Sequence, residues 1–227
     1  MDDLGPVREH YASEGVVARV LAALRNVNGP EVPISPDTLA PIDHFHGKGA
    51  IATEELAAML QPEASDHILD IGSGIGGPAR WIASKYGCRV TGVDLTRGFC
   101  EAARELNNLT GLAGRINILH GSALAIPVPD GSFDRAYSQA VLMNISDKLA
   151  FLREAFRVLR PGGLLALSFV GSGPAGNPTI RCHGPRRQPR VFSSLWMRFG
   201  PICSRRVFRL SPSLTPVQRW LPPLFPC

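Results

Sequence analysis

The chain reads as a doubly wound α/β fold, a mainly parallel sheet beneath an N-terminal helical cover, and three features predict it. From His67 onward, short β-rich runs alternate with helix-length segments, the pattern of βαβ units. A glycine-rich turn, Gly72-Ser73-Gly74-Ile75-Gly76-Gly77, separates the first apolar strand of that series from its first helix. Upstream, Val16, Val17, Val20, Leu21 and Leu24 fall at helical spacing before an Asn28-Gly29-Pro30 stop.

Residues 1–60 are assigned to the cover, with a second helix over 54–60. Strands are predicted at His67–Ile71, Arg89–Asp94, Ile116–His120, 135–138 and 164–170, with helices at Gly77–Tyr86, Arg97–Leu109 and 148–159 between them. Pro161-Gly162-Gly163 ends the last helix, because proline cannot continue it and glycine accepts the positive φ of a helix stop. In a doubly wound sheet the ligand lies outside the carboxyl ends of the strands, so residues 61–176 form the ligand-binding domain. From 177 to 227 the composition turns to Arg, Pro, Ser and Cys, and no further strand is predicted, so the strands that would complete such a sheet are expected to be missing.

Hydrophobic residues make up 44% of the chain and charged residues 19%, ordinary for a globular domain with one substantial core. No run approaches the length of a membrane span and the start carries no leader pattern, so a cytoplasmic protein with no membrane partner is expected. Cys88, Cys100, Cys182, Cys203 and Cys227 include no C-x-x-C pair, which argues against a zinc site or a disulfide framework. The net charge is +5, yet residues 181–227 hold 9 Arg and no Lys, Asp or Glu, which leaves −4 on residues 1–180. A basic groove for nucleic acid is therefore not expected in the folded part.

Around the glycine turn the backbone can approach a ligand closely, and the following helix presents unpaired N–H groups. Gly72, Gly74 and Gly77 also satisfy the dinucleotide pattern G-x-G-x-x-G, and a plain strand-to-helix turn needs the same residues. Two acids sharpen the choice. Asp70 stands two positions before the first glycine, where a pyrophosphate would be repelled and a cationic amino group welcomed. Asp94 ends the next strand, 22 residues beyond Gly72, where a carboxylate can accept both hydroxyls of a ribose. Asp94 also suits the start of the helix that follows Thr96, and the two uses are compatible.

Four blocks, D-I-G-S-G-I-G-G-P-A-R, V-T-G-V-D-L-T, F-D-R-A-Y-S and E-A-F-R-V-L-R-P-G-G-L-L-A-L, together resemble the class I S-adenosylmethionine-dependent methyltransferases in order and spacing. D-H-F-H-G-K-G-A-I-A-T-E-E-L and V-L-M-N-I-S-D-K resemble more narrowly a bacterial small-molecule group, the type 11 relatives of sarcosine and dimethylglycine N-methyltransferases. The resemblance spans residues from about 11 to 178. It implies a Rossmann-like domain that binds S-adenosyl-L-methionine and methylates a small-molecule nitrogen or oxygen. Asp70, Gly72, Gly74 and Gly76 would surround the methionine moiety, Asp94 would hold the ribose and Leu95 would pack on the adenine. Ser122 and Ala123 match a position where the family carries Asp-Ala at the adenine edge, so Ser122 removes a charge-assisted contact. Gln139 would approach the methionine end or the acceptor.

Methyl transfer from a sulfonium asks little of side chains beyond alignment, and a base helps only where the acceptor must lose a proton. His46 and Tyr11 of the cover and Asn144 as a polar orienter are the candidates. His44 is a weaker one, since the family usually has Gln there. Each histidine reads equally as a hydrogen-bonded cover residue. Phe45 and Met143 are expected to pack, and Trp81 to lie in the core.

The tail from about residue 178 is anomalous, because natural basic arms mix Lys with Arg. Reading a GC-rich gene out of frame produces such a composition. The codons allowed for residues 180–185 permit, in a shifted frame, a Pro-Val-Pro-Trp-Ala reading similar to the family's own continuation. A frameshift between Asn177 and Arg181 is the expectation, checked by the gene sequence across codons 170–190, with a genuine basic tail as its alternative. Two other functions stay open: a dinucleotide-dependent oxidoreductase, and a nonenzymatic nucleic-acid binder working through the Arg-rich tail.

Overall fold

A computed structural model describes residues 15–44, 46, 48–170 and 192–198, with Val170 and the last stretch given as backbone. In chain order the elements are α1 (Val16–Asn28), α2 (Pro36–Asp43), α3 (Ala50–Leu60), β1 (His67–Ile71), α4 (Gly77–Tyr86), β2 (Arg89–Asp94), α5 (Arg97–Leu109), β3 (Ile116–His120), β4 (Phe133–Gln139), α6 (Lys148–Arg157), β5 (Leu159–Val170) and β6 (Phe192–Arg198). The six strands form one sheet in the order β3-β2-β1-β4-β5-β6. The first five are parallel, as the sequence predicts, and β6 runs antiparallel to β5.

One sheet face packs on α3, α4 and α5 through Leu56, Ile82, Ala103, Ile68, Val90, Ile118 and their neighbours. The other packs on α6 through Phe151, Leu152 and Phe156 against Leu69, Ile71 and Leu165. Burying β1 on both faces explains why Ile68, Leu69 and Ile71 are all apolar, with Asp70 the exception. The helices α1 and α2 make a third cluster, in which Val17, Val20, Leu24 and Leu39 meet Leu106 of α5 and Ile75 of the glycine turn. The cover is thus seated directly on the turn.

Four expectations need correction. Residues 36–43 form a helix of their own: Ser35 caps it reciprocally with Thr38, and Pro36 occupies the first turn, where its missing N–H costs nothing. The Arg160-Pro161-Gly162-Gly163 segment does not separate α6 from its strand. The helix stops at Arg157, Leu159 already pairs with Phe133, and the segment is an irregularity inside β5 before Leu164 pairs with Arg135, with Gly162 at φ +85°. A strand does follow β5: Phe192–Arg198 pairs along the edge that β5 would otherwise leave open. Trp81 packs against the core cluster but is only half-buried, with the Lys85 ammonium 4.3 Å from its ring centre.

Candidate active site

The strand order reverses between β1 and β4, so the crevice outside their carboxyl ends is where a doubly wound sheet takes its ligand. Asp70 near the end of β1 is in register with Gly92 of β2 and Tyr137 of β4. Asp94 lies two residues beyond Gly92 and therefore on the same sheet face as Asp70. The two acids bracket one space from neighbouring strands.

Between them runs the glycine turn. Gly72, Gly74 and Gly76 have φ of +81°, +54° and +80°, a region that side-chain-bearing residues avoid. Gly72 also lacks room, since a Cβ there would meet the Val141 side chain at 2.3 Å, whereas one on Gly74 would meet nothing within 4 Å. Gly74 is therefore the point at which backbone faces open space. The turn is pinned to β2: the Gly72 and Ser73 N–H groups donate to Val93 O at 2.8 and 3.1 Å, and Gly74 N–H donates to Asp94 Oδ2 at 2.8 Å. The other oxygen of Asp94 accepts from Thr96 N–H at 2.8 Å, so this carboxylate fixes both the turn and the start of α5.

Asp70 is only 2% exposed, and its Oδ2 has no hydrogen-bond partner. Burial pushes its carboxyl up to about 7; the Tyr137 phenol beside it pulls it down, and the Asp94 charge pushes it further up. Burial likewise raises Asp94, opposed by the N–H groups of Thr96 and Gly74. Tyr137 is driven well above the ordinary phenol value by burial and by the Asp70 charge. Buried polar atoms are almost always paired, yet Asp70 Oδ2, Ser73 Oγ and Gln139 Nε2 lack hydrogen-bond partners among the described residues at this one edge. The fit to an amino-acid ligand is direct: a buried carboxylate with one open oxygen suits an ammonium, and a neighbouring amide N–H suits an acceptor.

Gln139 ends β4, and its Oε1 accepts from the Thr53 hydroxyl of α3 at 3.1 Å, leaving Nε2 as the free donor. Leu95 is half-buried after Asp94, and its carbonyl accepts from His120 Nε2 at 2.9 Å. Ser122 and Ala123 follow β3 beside Asp94, whose carbonyl takes the Gly121 N–H at 2.9 Å. The Ser122 hydroxyl accepts the Leu124 N–H at 3.1 Å, so it shapes its own turn. Asn144 closes a 3₁₀ turn, Leu142–Asn144, and is exposed. Met143 is exposed too, at 41%, against the expectation that it packs, because this short turn directs Leu142 inward instead. His46 is half-buried in the link between α2 and α3, edge-on to His44 at 5.6 Å between ring centres. Tyr11 and Phe45 lie outside the described residues.

Sequence reasoning missed a buried network. Arg80 of α4, wholly buried, donates through Nη2 to Asp43 Oδ2 at 2.8 Å and through Nη1 to Asn107 Oδ1 at 3.0 Å. His44 Nδ1 lies 2.9 Å from Asp43 Oδ1. Burial pushes Asp43 up, but the His44 hydrogen bond and the Arg80 charge outweigh it and hold the carboxyl below its ordinary value. Burial lowers Arg80, with Asp43 opposing. Thr53 and His120 were missed as well. A charged arginine inside an otherwise apolar helix face, between Ala79 and Ile82, was the one available signal.

The fold and this edge define a methyltransferase domain of the Rossmann-like class. Residues 69–167 match the family model described as "Methyltransferase domain", type 11. It is similar to Methyltransferase GfsG of Streptomyces halstedii, 37% identical over 129 residues, 57% of this chain and 46% of the relative. It is 38% identical over 156 residues to the sarcosine/dimethylglycine N-methyltransferase of Halorhodospira halochloris, 69% of this chain and 55% of the relative. The crystal structure of the [4+2]-cyclase SpnF superposes with a TM-score of 0.56 at 25% identity, covering 72% of this chain and 59% of that one. The chain spans about half the length of the curated relatives it matches.

Proposed function

We propose that this chain binds S-adenosyl-L-methionine across the carboxyl ends of β1, β2 and β4 and presents its methyl group to a nitrogen or oxygen of a small molecule. The observation that carries this reading is the buried Asp70 carboxylate, its Oδ2 open, facing the same space as the Asp94 carboxylate with a glycine-rich turn between them. Asp70 takes the ammonium of the methionine moiety, and Gly72, Gly74 and Gly76 line it with backbone. Asp94, with lone pairs left beside its two backbone bonds, accepts the ribose hydroxyls. Leu95, Ser122 and Ala123 border the adenine, and Gln139 Nε2 donates to the methionine end or to the acceptor.

When bound, the sulfonium supplies an electrophilic methyl carbon. What the protein adds is alignment and exclusion of water, for which a pinned turn under a helical cover is suited. His46, Tyr11 and Asn144 are assigned to the acceptor side. A pyrophosphate is disfavoured by Asp70, which would place a buried carboxylate beside it. The likeness to a cyclase is a reminder that this fold hosts more than one reaction, so methyl transfer rests on the site and not on the topology. A cytoplasmic place of action belongs to the same reading, and there Cys88 and Cys100 stay as buried thiols.

Calorimetry with S-adenosylmethionine tests the site. Micromolar or weaker binding is expected, and Asp94→Ala lowers affinity about 100-fold, the loss of two hydrogen bonds to a charged group. Equal heats from wild type and variant would remove the assignment.

A further inference from the structure

The network around Asp43 carries a chemistry that the cofactor cradle does not use. Asp43 ends α2 and His44 caps it, and the two are 3% and 7% exposed. The Asp43 carboxylate stays ionised between His44 and Arg80, and an ionised carboxylate only accepts. His44 Nδ1 is therefore the donor in its contact with Asp43 Oδ1, and the tautomer that this contact selects has its lone pair on Nε2. That Nε2 is buried and has no hydrogen-bond partner. A structural histidine uses both nitrogens or exposes one; this one is oriented through the first and unmatched at the second.

Its place in the fold is beside the glycine turn. The Asp43 carbonyl lies against Gly77, where a Cβ would come within 2.4 Å, so the dyad rests on the first residue of the helix that follows the glycine turn. The link beyond His44 leads to α3, whose Thr53 holds Gln139 at the end of β4. His44 thus stands in the sequence between α2, which abuts the helix after the glycine turn, and α3, which reaches the end of β4.

We propose that His44 Nε2 is the base that receives the proton of the methyl acceptor, with Asp43 and Arg80 as positioning residues. The inference rests on the S-adenosylmethionine reading above. In the step, the acceptor nitrogen or oxygen forms a bond to the methyl carbon while the carbon–sulfur bond breaks and its electron pair returns to sulfur. The N–H or O–H proton passes to His44 Nε2, and Asp43 stabilises the imidazolium that results.

The test uses the full chain labelled with ¹⁵N-histidine and two ligands. S-Adenosylhomocysteine has nothing where the methyl stands, whereas sinefungin carries an amine there. The neutral Nδ1–H tautomer is expected for His44, with its Nε2 resonance moved by sinefungin and not by S-adenosylhomocysteine. Asp43→Asn shifts that tautomer signal, which a merely packed side chain would not do. In calorimetry, His44→Phe loses about tenfold more affinity for sinefungin than for S-adenosylhomocysteine, the size of one hydrogen bond. An Nε2–H tautomer, or equal responses to the two ligands while both bind, overturns the base alone. Failure of S-adenosylhomocysteine to bind the wild type removes the cofactor reading, and the base with it. Should His44→Phe not fold, the wild-type resonances decide.

Discussion

The two ends of the sheet treat polar groups in opposite ways. At the amino end, Arg135 pairs with Asp66 and Glu63 and donates to Leu60 O, Arg160 pairs with Asp134, and Asp134 accepts the His67 N–H. His67 Nε2 meets Thr91 Oγ1 at 2.9 Å. At the carboxyl end, Asp70, Ser73 and Gln139 each keep a buried polar atom without a partner among the described residues. Strands cost the same to form at both ends, so the difference reflects what each end is for. Saturated networks stabilise, and unsaturated buried groups are kept where a ligand completes them.

Substitutions can break this contrast. The largest effect belongs to Arg80, which ties α4 to Asp43 of the cover and to Asn107 of α5 on the ligand side. Arg80→Met leaves Asp43 buried without its cation and lowers stability by about 3–5 kcal/mol in denaturant unfolding. A loss under 1 kcal/mol would show that the network is not what seats the cover on the glycine turn. A smaller effect follows at the other end: Arg135→Gln lowers stability by about 1–2 kcal/mol, since its side chain is 16% exposed, and leaves ligand affinity within about twofold. A larger change in affinity than in stability would contradict the division of labour between the two ends.

What the sequence disclosed follows the same division by distance along the chain. Asp70, the three glycines and Asp94 lie on one β-turn-α-β stretch, so their juxtaposition is fixed by local geometry and could be read directly. The strands His67–Ile71, Arg89–Asp94 and Ile116–His120 were legible for the same reason. Arg80 and Asp43 are 37 residues apart, and Thr53 and Gln139 are 86 apart. Such pairings depend on how the cover docks, which periodicity does not encode. The helix at Pro36–Asp43 was hidden by its two prolines, although Ser35 and Thr38 hold a capping signature. The strand Phe192–Arg198 was obscured by the Arg- and Pro-rich composition around it.

The central claim is that Asp70 is held, buried and protonatable, for a cationic group. In the free protein burial pushes its carboxyl up to about 7, so at pH 6 most molecules carry the proton. An ammonium beside it favours the carboxylate, so binding expels that proton and affinity falls as the pH drops from 8 to 5. The most direct measurement is the enthalpy of S-adenosylmethionine binding at pH 6 in buffers of different ionisation enthalpy. Release of close to one proton by the wild type and none by Asp70→Asn is the predicted result; equal proton release by the two proteins would contradict it.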